Sequence, residues 1–189
     1  MGLLDKVFGR TPPVRPQLDQ LFAIPDAALT LEASLGLHPT GIGSVSFRAA
    51  EGGASTQVTD DVESLLDADA GPAVERSVDS FGYTWLLVRH EPADLPGLVT
   101  DLHAVNDTLQ VNGFGSSLLC SLVSFAADDG RKLALVYLYK RGTFYPFAPL
   151  DGQRRDNALE LQVRAALPDD LAIESDLARW FPVWGAPGL

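Results

Sequence analysis

Two apolar runs, residues 118–125 and 132–139, flank Asp128-Asp129-Gly130. An Asp-Gly pair supplies positive φ at little steric cost, which makes it one of the strongest short-range hairpin signals. The two runs are therefore expected to pair as antiparallel strands, and the rest of the chain has to be arranged around them. A second reversal is expected at Asp79-Ser80-Phe81-Gly82, between strand-like runs at 74–78 and 83–90. Further strands are expected at 42–49, where Val45 and Phe47 alternate with Ser44, Ser46 and Arg48, and at 143–147.

Helical spacing fills the other stretches. Over 94–112, Leu95, Leu98, Val99, Leu102, Val105 and Leu109 trace one stripe, with Asp94 placed to cap the start and Gly113 placed as a left-handed cap at the end. Pro25 opens a helix that Gly36 closes. Residues 56–68 keep helical spacing through Val58, Val62, Leu65 and Leu66. After Asp156 a helix turns Leu159, Val163, Ala166 and Leu167 inward until Pro168 ends it. A last helical piece is expected before Trp180. Hairpins dominate the strand connections, which predicts an α+β fold: a mainly antiparallel sheet of about five to six strands with helices packed mostly on one face. Thr11-Pro12-Pro13 and Pro16 set off residues 1–16 as an amphipathic arm, leaving 17–189 as a single domain.

The 189 residues carry 14 Lys and Arg against 25 Asp and Glu, a net charge of −11. Such a chain is poorly suited to the phosphates of nucleic acid. Cys120 is the only cysteine, so no intrachain disulfide and no thiolate zinc cage is expected, and the protein suits a reducing cytoplasm. The first ten residues lack the apolar core of a secretory signal, and no apolar run approaches the roughly 18 residues of a membrane span. His38, His90 and His103 fall on different elements without metal-ligand spacing. No Gly-x-Ser-x-Gly elbow is present, and Gly41-Ile-Gly43 and Gly113-Phe-Gly115 complete no nucleotide-binding pattern; they are expected to be turn glycines entering strands. The acid pairs Asp60-Asp61, Asp128-Asp129 and Asp169-Asp170 suit turns and helix starts. No enzymatic activity, cofactor or metal is expected.

Six cations, Arg131, Lys132, Lys140, Arg141, Arg154 and Arg155, stand in 25 residues against the single acid Asp151, a local charge of +5 that leaves −16 on the rest of the chain. If they share one edge of the sheet they offer an anionic partner a surface; otherwise they guard a sheet edge or pair with the surplus acids. Tyr137, Tyr139, Phe144, Tyr145 and Phe147 lie in the same segment, and Trp180, Phe181 and Trp184 near the end. These are core residues or interface anchors. Leu3, Leu4, Val7 and Phe8 fall on one face of the arm, which is either folded back or placed against a membrane surface or a partner.

The run Leu133-Ala-Leu-Val-Tyr-Leu-Tyr-Lys-Arg-Gly-Thr-Phe-Tyr-Pro-Phe-Ala148, with Arg154-Arg-Asp-Asn-Ala-Leu-Glu-Leu161, Ala178-Arg-Trp-Phe-Pro-Val-Trp-Gly185 and the opening Met1-Gly-Leu-Leu-Asp5, resembles the PspAB family over essentially the whole chain. The element order is also similar to the YbjN and type III secretion chaperone-like folds, an analogy of fold alone. The family resemblance implies a cytoplasmic, non-enzymatic accessory or adaptor protein of the phage-shock envelope-stress response. Its partners would be PspA, a protein of long charged helices, or an HtpX-like membrane protease. On this reading Lys140, Arg141, Tyr145, Arg154, Arg155 and Trp184 form the partner surface, while Leu3, Leu4, Val7 and Phe8 give a peripheral contact at the inner face of the membrane. The alternative is a module binding lipid or a small hydrophobic ligand, which predicts an apolar pocket between sheet and helices.

Overall fold

The computed structural model describes residues 17–48, 60, 64 and 74–189. The arm at 1–16, with Leu3, Leu4, Val7 and Phe8, lies outside the described residues. So does the helix expected at 56–68, apart from Asp60 and Ser64.

Six strands form one antiparallel sheet: β1 (His38–Phe47), β2 (Glu75–Val78), β3 (Thr84–Arg89), β4 (Leu118–Ala126), β5 (Lys132–Leu138) and β6 (Thr143–Phe147), in the spatial order β2-β3-β1-β4-β5-β6. A two-residue ribbon, β7 (Pro149–Leu150) with β8 (Arg154–Arg155), follows β6. Fully described helices are α1 (Ile24–Leu35), α2 (Leu95–Leu109) and α3 (Asn157–Ala166). The fold is α+β, and no described helix is long and apolar enough to cross a membrane.

The Asp-Gly reversal makes the β4–β5 hairpin, in register from Cys120 opposite Leu138 to Ala126 opposite Lys132. Its loop has three residues rather than two. Ala127 N–H donates to Arg131 O at 2.9 Å, Gly130 N–H donates to Ala127 O at 3.0 Å, and Gly130 takes the left-handed position at φ 87°. In α2, Asp94 accepts the N–H of Gly97 at 3.1 Å, as a cap should. The α-helical part stops at Leu109 and widens into one turn over Gln110–Phe114, inside which Gly113 reverses the chain at φ 87°. The expected cap residue thus ends the element, after a looser final turn.

β1 begins at His38, four residues before the expected start. The register with β4 breaks between Pro39 and Gly43, and Gly41 sits in that break at φ 76°, against the carbonyl of His90. Gly41 and Gly43, expected to be turn residues, instead let a bulged strand pass close to its neighbours, whereas Gly113 does stand at a reversal.

Alternation along the strands divides the interior in two. On one face Val45, Phe47, Leu86, Val88, Val123, Phe125, Leu135 and Tyr137 meet Leu31, Leu98, Leu102, Val105 and Val163 of the helices. On the other, Trp85, Cys120, Leu122, Val136, Tyr145 and Phe147 meet Trp180 and Ala186. The described helices therefore cover one face, as expected. The other is closed by the C-terminal chain, where the expected helical piece is a single 3-10 turn, Leu177–Arg179.

His90 joins β3 to α2. Its Nδ1 lies 2.9 Å from Asp94 and its Nε2 2.7 Å from Asp101. Two carboxylates on two ring nitrogens suit an imidazolium, which donates from both. Burial works to lower the His90 pKa, but the hydrogen bonds and charges of Asp101 and Asp94 outweigh it and hold it above the usual 6.5. A raised folded-state pKa contributes stability that is complete below the unfolded value near 6.5 and is lost as pH rises through the folded value. Thermal unfolding of the protein and of Asp101→Asn across pH 5.5 to 8.5 should show the stability difference between them narrowing as pH rises. Linkage sets the scale, about 1.4 kcal/mol for each tenfold difference in proton affinity between the folded and unfolded imidazole. A constant difference would show that the pair does not titrate with folding.

Candidate functional site

The six clustered cations do not form one patch. Arg131 and Lys132 open β5, while Lys140 and Arg141 follow its far end, about 20 Å away at the rise of an extended strand. Arg131 is consumed locally: Nε donates to Asp129 at 2.7 Å and Nη2 to the carbonyl of Leu35, the last residue of α1, at 2.9 Å. Arg154 and Arg155, on β8, lie beyond the Phe147 end of β6, one strand length from the Lys140 turn.

Three residues of the expected partner surface belong largely to the molecule's own second core. Tyr145 is 1% exposed, stacks with Trp180 at 6.2 Å and donates its hydroxyl to the carbonyl of Phe181 at 2.8 Å. Arg155 pairs with buried Glu160 at 2.8 Å, donates to the carbonyl of Trp180, and lies over the Phe147 ring at 5.2 Å. Trp184 is half-buried, its ring edge-on to Phe147 at 4.9 Å. Arg154 stays exposed and donates to the carbonyl of Asp151 at 3.1 Å. The side chains a partner can reach directly are thus Lys140, Arg141 and Arg154, with part of Trp184.

The C-terminal chain runs first along β6 and then over the sheet. Phe144 N–H donates to Ala172 O at 2.8 Å, and Glu174 N–H donates to Phe144 O at 2.7 Å, which covers part of an otherwise open sheet edge. Glu174 fixes the crossover. Its buried carboxylate accepts from Arg141 at 2.8 Å, Thr143 at 3.1 Å and Asp176 N–H at 3.1 Å, while its carbonyl accepts the Trp180 indole at 3.0 Å. Burial works against the charge, but the Asp176 amide, Arg141 and Thr143 together hold the carboxyl below its usual range. At the other end Ser124 donates to the carbonyl of Gly188 at 2.8 Å.

Between this strap and the sheet, at the end where β5 turns into β6, opens an apolar cleft of about 420 Å³. Trp85, Leu119, Cys120 and Leu138 line it from the sheet, Val183 and the exposed Phe181 from the strap, and Lys140 and Arg141 edge it. The guanidinium of Arg48 lies 5.2 Å from the ring of Tyr83, another lining residue. Cys120 offers no nucleophile, since burial pushes its thiol up to about 12. The pocket expected of a ligand-binding module was between sheet and helices; this one lies on the opposite face. The strap that makes it could not be seen in the 3.6-residue or two-residue periodicities, because it has neither.

Strap, sheet and cleft define a class: a small α+β protein with a cation-edged apolar opening on the sheet face away from its helices. The chain belongs to the PspAB family, whose model, described as PspA associated protein B, matches residues 1–188. That description fits an accessory role beside PspA. Comparison with curated proteins finds no match, and comparison with solved structures finds none.

Proposed function

We propose that this protein is a non-enzymatic accessory of the PspA-linked envelope-stress response that grips a PspA-like helix at the β5–β6 end of its sheet. The observation that supports this is the pairing of charge and apolar surface there. Lys140 is exposed and forms no ion pair among the described residues, Arg141 is 46% exposed on its side chain, and Phe181, 60% exposed, stands on the lip of the apolar cleft. A charged amphipathic helix can place acidic side chains against the two cations and an apolar residue in the cleft. The strongly negative remainder of the molecule would repel an acidic helix elsewhere, so the same charges set orientation.

Lys140→Glu is the direct test, because the residue is exposed and its loss leaves no buried partner. Binding to the purified PspA-like protein should weaken about tenfold, mostly through slower association, and become less sensitive to salt. Unchanged affinity and unchanged salt dependence would remove this surface from the interaction. The same pair of proteins measured against an HtpX-like membrane protease separates the two partners that the family resemblance implies.

A further inference from the structure

We infer that the cleft between the sheet and the C-terminal strap is a binding site for a small anionic amphiphile: a monomeric medium-chain carboxylate whose head is held by Lys140 and Arg141 and whose body lies along Trp85, Leu119 and Cys120. Three observations converge on it. The cleft wall is mostly apolar and its size falls in the usual range for small-ligand sites. Among the described residues that line it, the one lysine and the one arginine stand together, at the β5–β6 turn. Arg141 turns its Nε toward Glu174, which leaves the other guanidinium N–H groups and the Lys140 ammonium to meet a carboxylate.

The third observation concerns Ser46. It lines the cleft, is 1% exposed, and its hydroxyl has no hydrogen-bond partner among the described residues. An unmatched buried hydroxyl is costly, a penalty that a polar group on a bound ligand would relieve. Register locates it. Ser46 lies opposite Cys120 on β4, and Cys120 lies opposite Leu138 on β5. Ser46 is therefore two strands, about 10 Å, across the sheet from the strand end that carries the cations. A ligand with a hydroxyl or carbonyl about that far from its carboxylate can satisfy both.

The inference does not rest on the partner reading, and its experiment uses no partner. Decanoate, ω-hydroxydecanoate and decyltrimethylammonium are titrated below their micellisation concentrations into the full-length protein, by calorimetry and by the fluorescence of Trp85, with Trp85→Phe identifying its signal. Both carboxylates should bind saturably, with the cationic amphiphile at least about tenfold weaker. The hydroxylated chain should bind severalfold tighter than decanoate, an advantage lost in Ser46→Ala. Leu119→Trp, which fills the cleft, should abolish binding, and Lys140→Glu, a surface change that leaves the fold intact, should weaken it about tenfold. Absence of saturable carboxylate binding, equal binding of the cationic chain, or indifference to both Leu119→Trp and Lys140→Glu would overturn the site. Equal binding of the two carboxylates would overturn the role given to Ser46. Association with anionic phospholipid vesicles without binding of the monomers would place the ligand chemistry in a membrane surface and also overturn it.

Discussion

Arg155→Ala will lower the stability of the fold by about 3 kcal/mol, while Arg154→Ala, one residue away, will change it by less than about 0.5 kcal/mol. The two arginines are consecutive on β8 but live in different surroundings. Arg154 is exposed, and its side chain donates to the carbonyl of Asp151. Arg155 is mostly enclosed, its Nε on Glu160, its Nη1 on the carbonyl of Trp180 and its plane over Phe147. Removing it strands a Glu160 carboxylate whose side chain is only 3% exposed, and the N–H of Ala148, which donates to Glu160 at 2.9 Å, cannot by itself balance the charge. Breaking a buried pair from one side is costly for that reason, whereas replacing both members is often close to neutral. Arg155→Met with Glu160→Gln should therefore recover much of the loss, since glutamine keeps an acceptor for Ala148. In thermal unfolding the single substitution should lower Tm by roughly 6–12 °C in a chain of this length. Equal effects of Arg154→Ala and Arg155→Ala would show that the ion pair adds nothing to the fold.

Trp180→Ala will cost about 3–5 kcal/mol, as expected for emptying a well-packed tryptophan site. Trp180 is the point at which the strap meets the sheet. Its ring stacks on Tyr145, its indole N–H donates to the Glu174 carbonyl, and its own carbonyl receives Arg155. Loss of the ring removes the cover from Tyr145 and loosens both ends of the local hydrogen-bond set. Phe181→Ala next to it should be nearly neutral, because that side chain projects outward. Hydrogen exchange in Trp180→Ala should accelerate in the strap and in β6 while α2 and β1 remain protected, since the helix-side core does not include Trp180. Uniform acceleration across both cores would mean that the two faces unfold as one unit and that the strap has no separate stability.

The same division into two faces explains which parts of the structure local sequence could reveal. The β4–β5 hairpin was legible because Asp129-Gly130 states its turn chemistry within a few residues. The α2 stripe was legible because its period and its Asp94 cap are local. The beginning of β1 was not. Pro39 and Gly41 look like breakers, and only the bulge against β4, with Gly41 pressed on the His90 carbonyl, makes them strand residues. Tyr145 and Arg155 were misleading for a different reason. An aromatic or a cation offers the same sequence signal on a partner surface as in a buried network; what decides between them is the burial of Glu160, five residues from Arg155, and the packing of Trp180, which no short pattern connects to Tyr145 or Arg155.

The candidate site shows the limit most clearly. Lys140 and Arg141 were visible as cations near aromatics, but Ser46 was an ordinary alternating strand residue and Cys120 a small apolar one. Their convergence depends on three strands aligned in register and on a strap without periodicity. By itself the sequence determined the elements with local signals, the α+β class, and a charge distribution of +5 in one segment against −16 elsewhere. Only the tertiary structure decided how that charge is used. Four of the six cations stand at opposite ends of β5, where Asp129 pairs with Arg131 and Glu174 with Arg141 through its Nε; Glu160 pairs with Arg155 on β8, and Lys140 is left beside an apolar cleft with no ion pair among the described residues. The physical reason is one of range. Turn, cap and period energies act over a few residues, as do the Arg131–Asp129 and Arg155–Glu160 pairs, whereas the Arg141–Glu174 pair, the burial of each side chain and the cleft depend on which distant segments the sheet brings together.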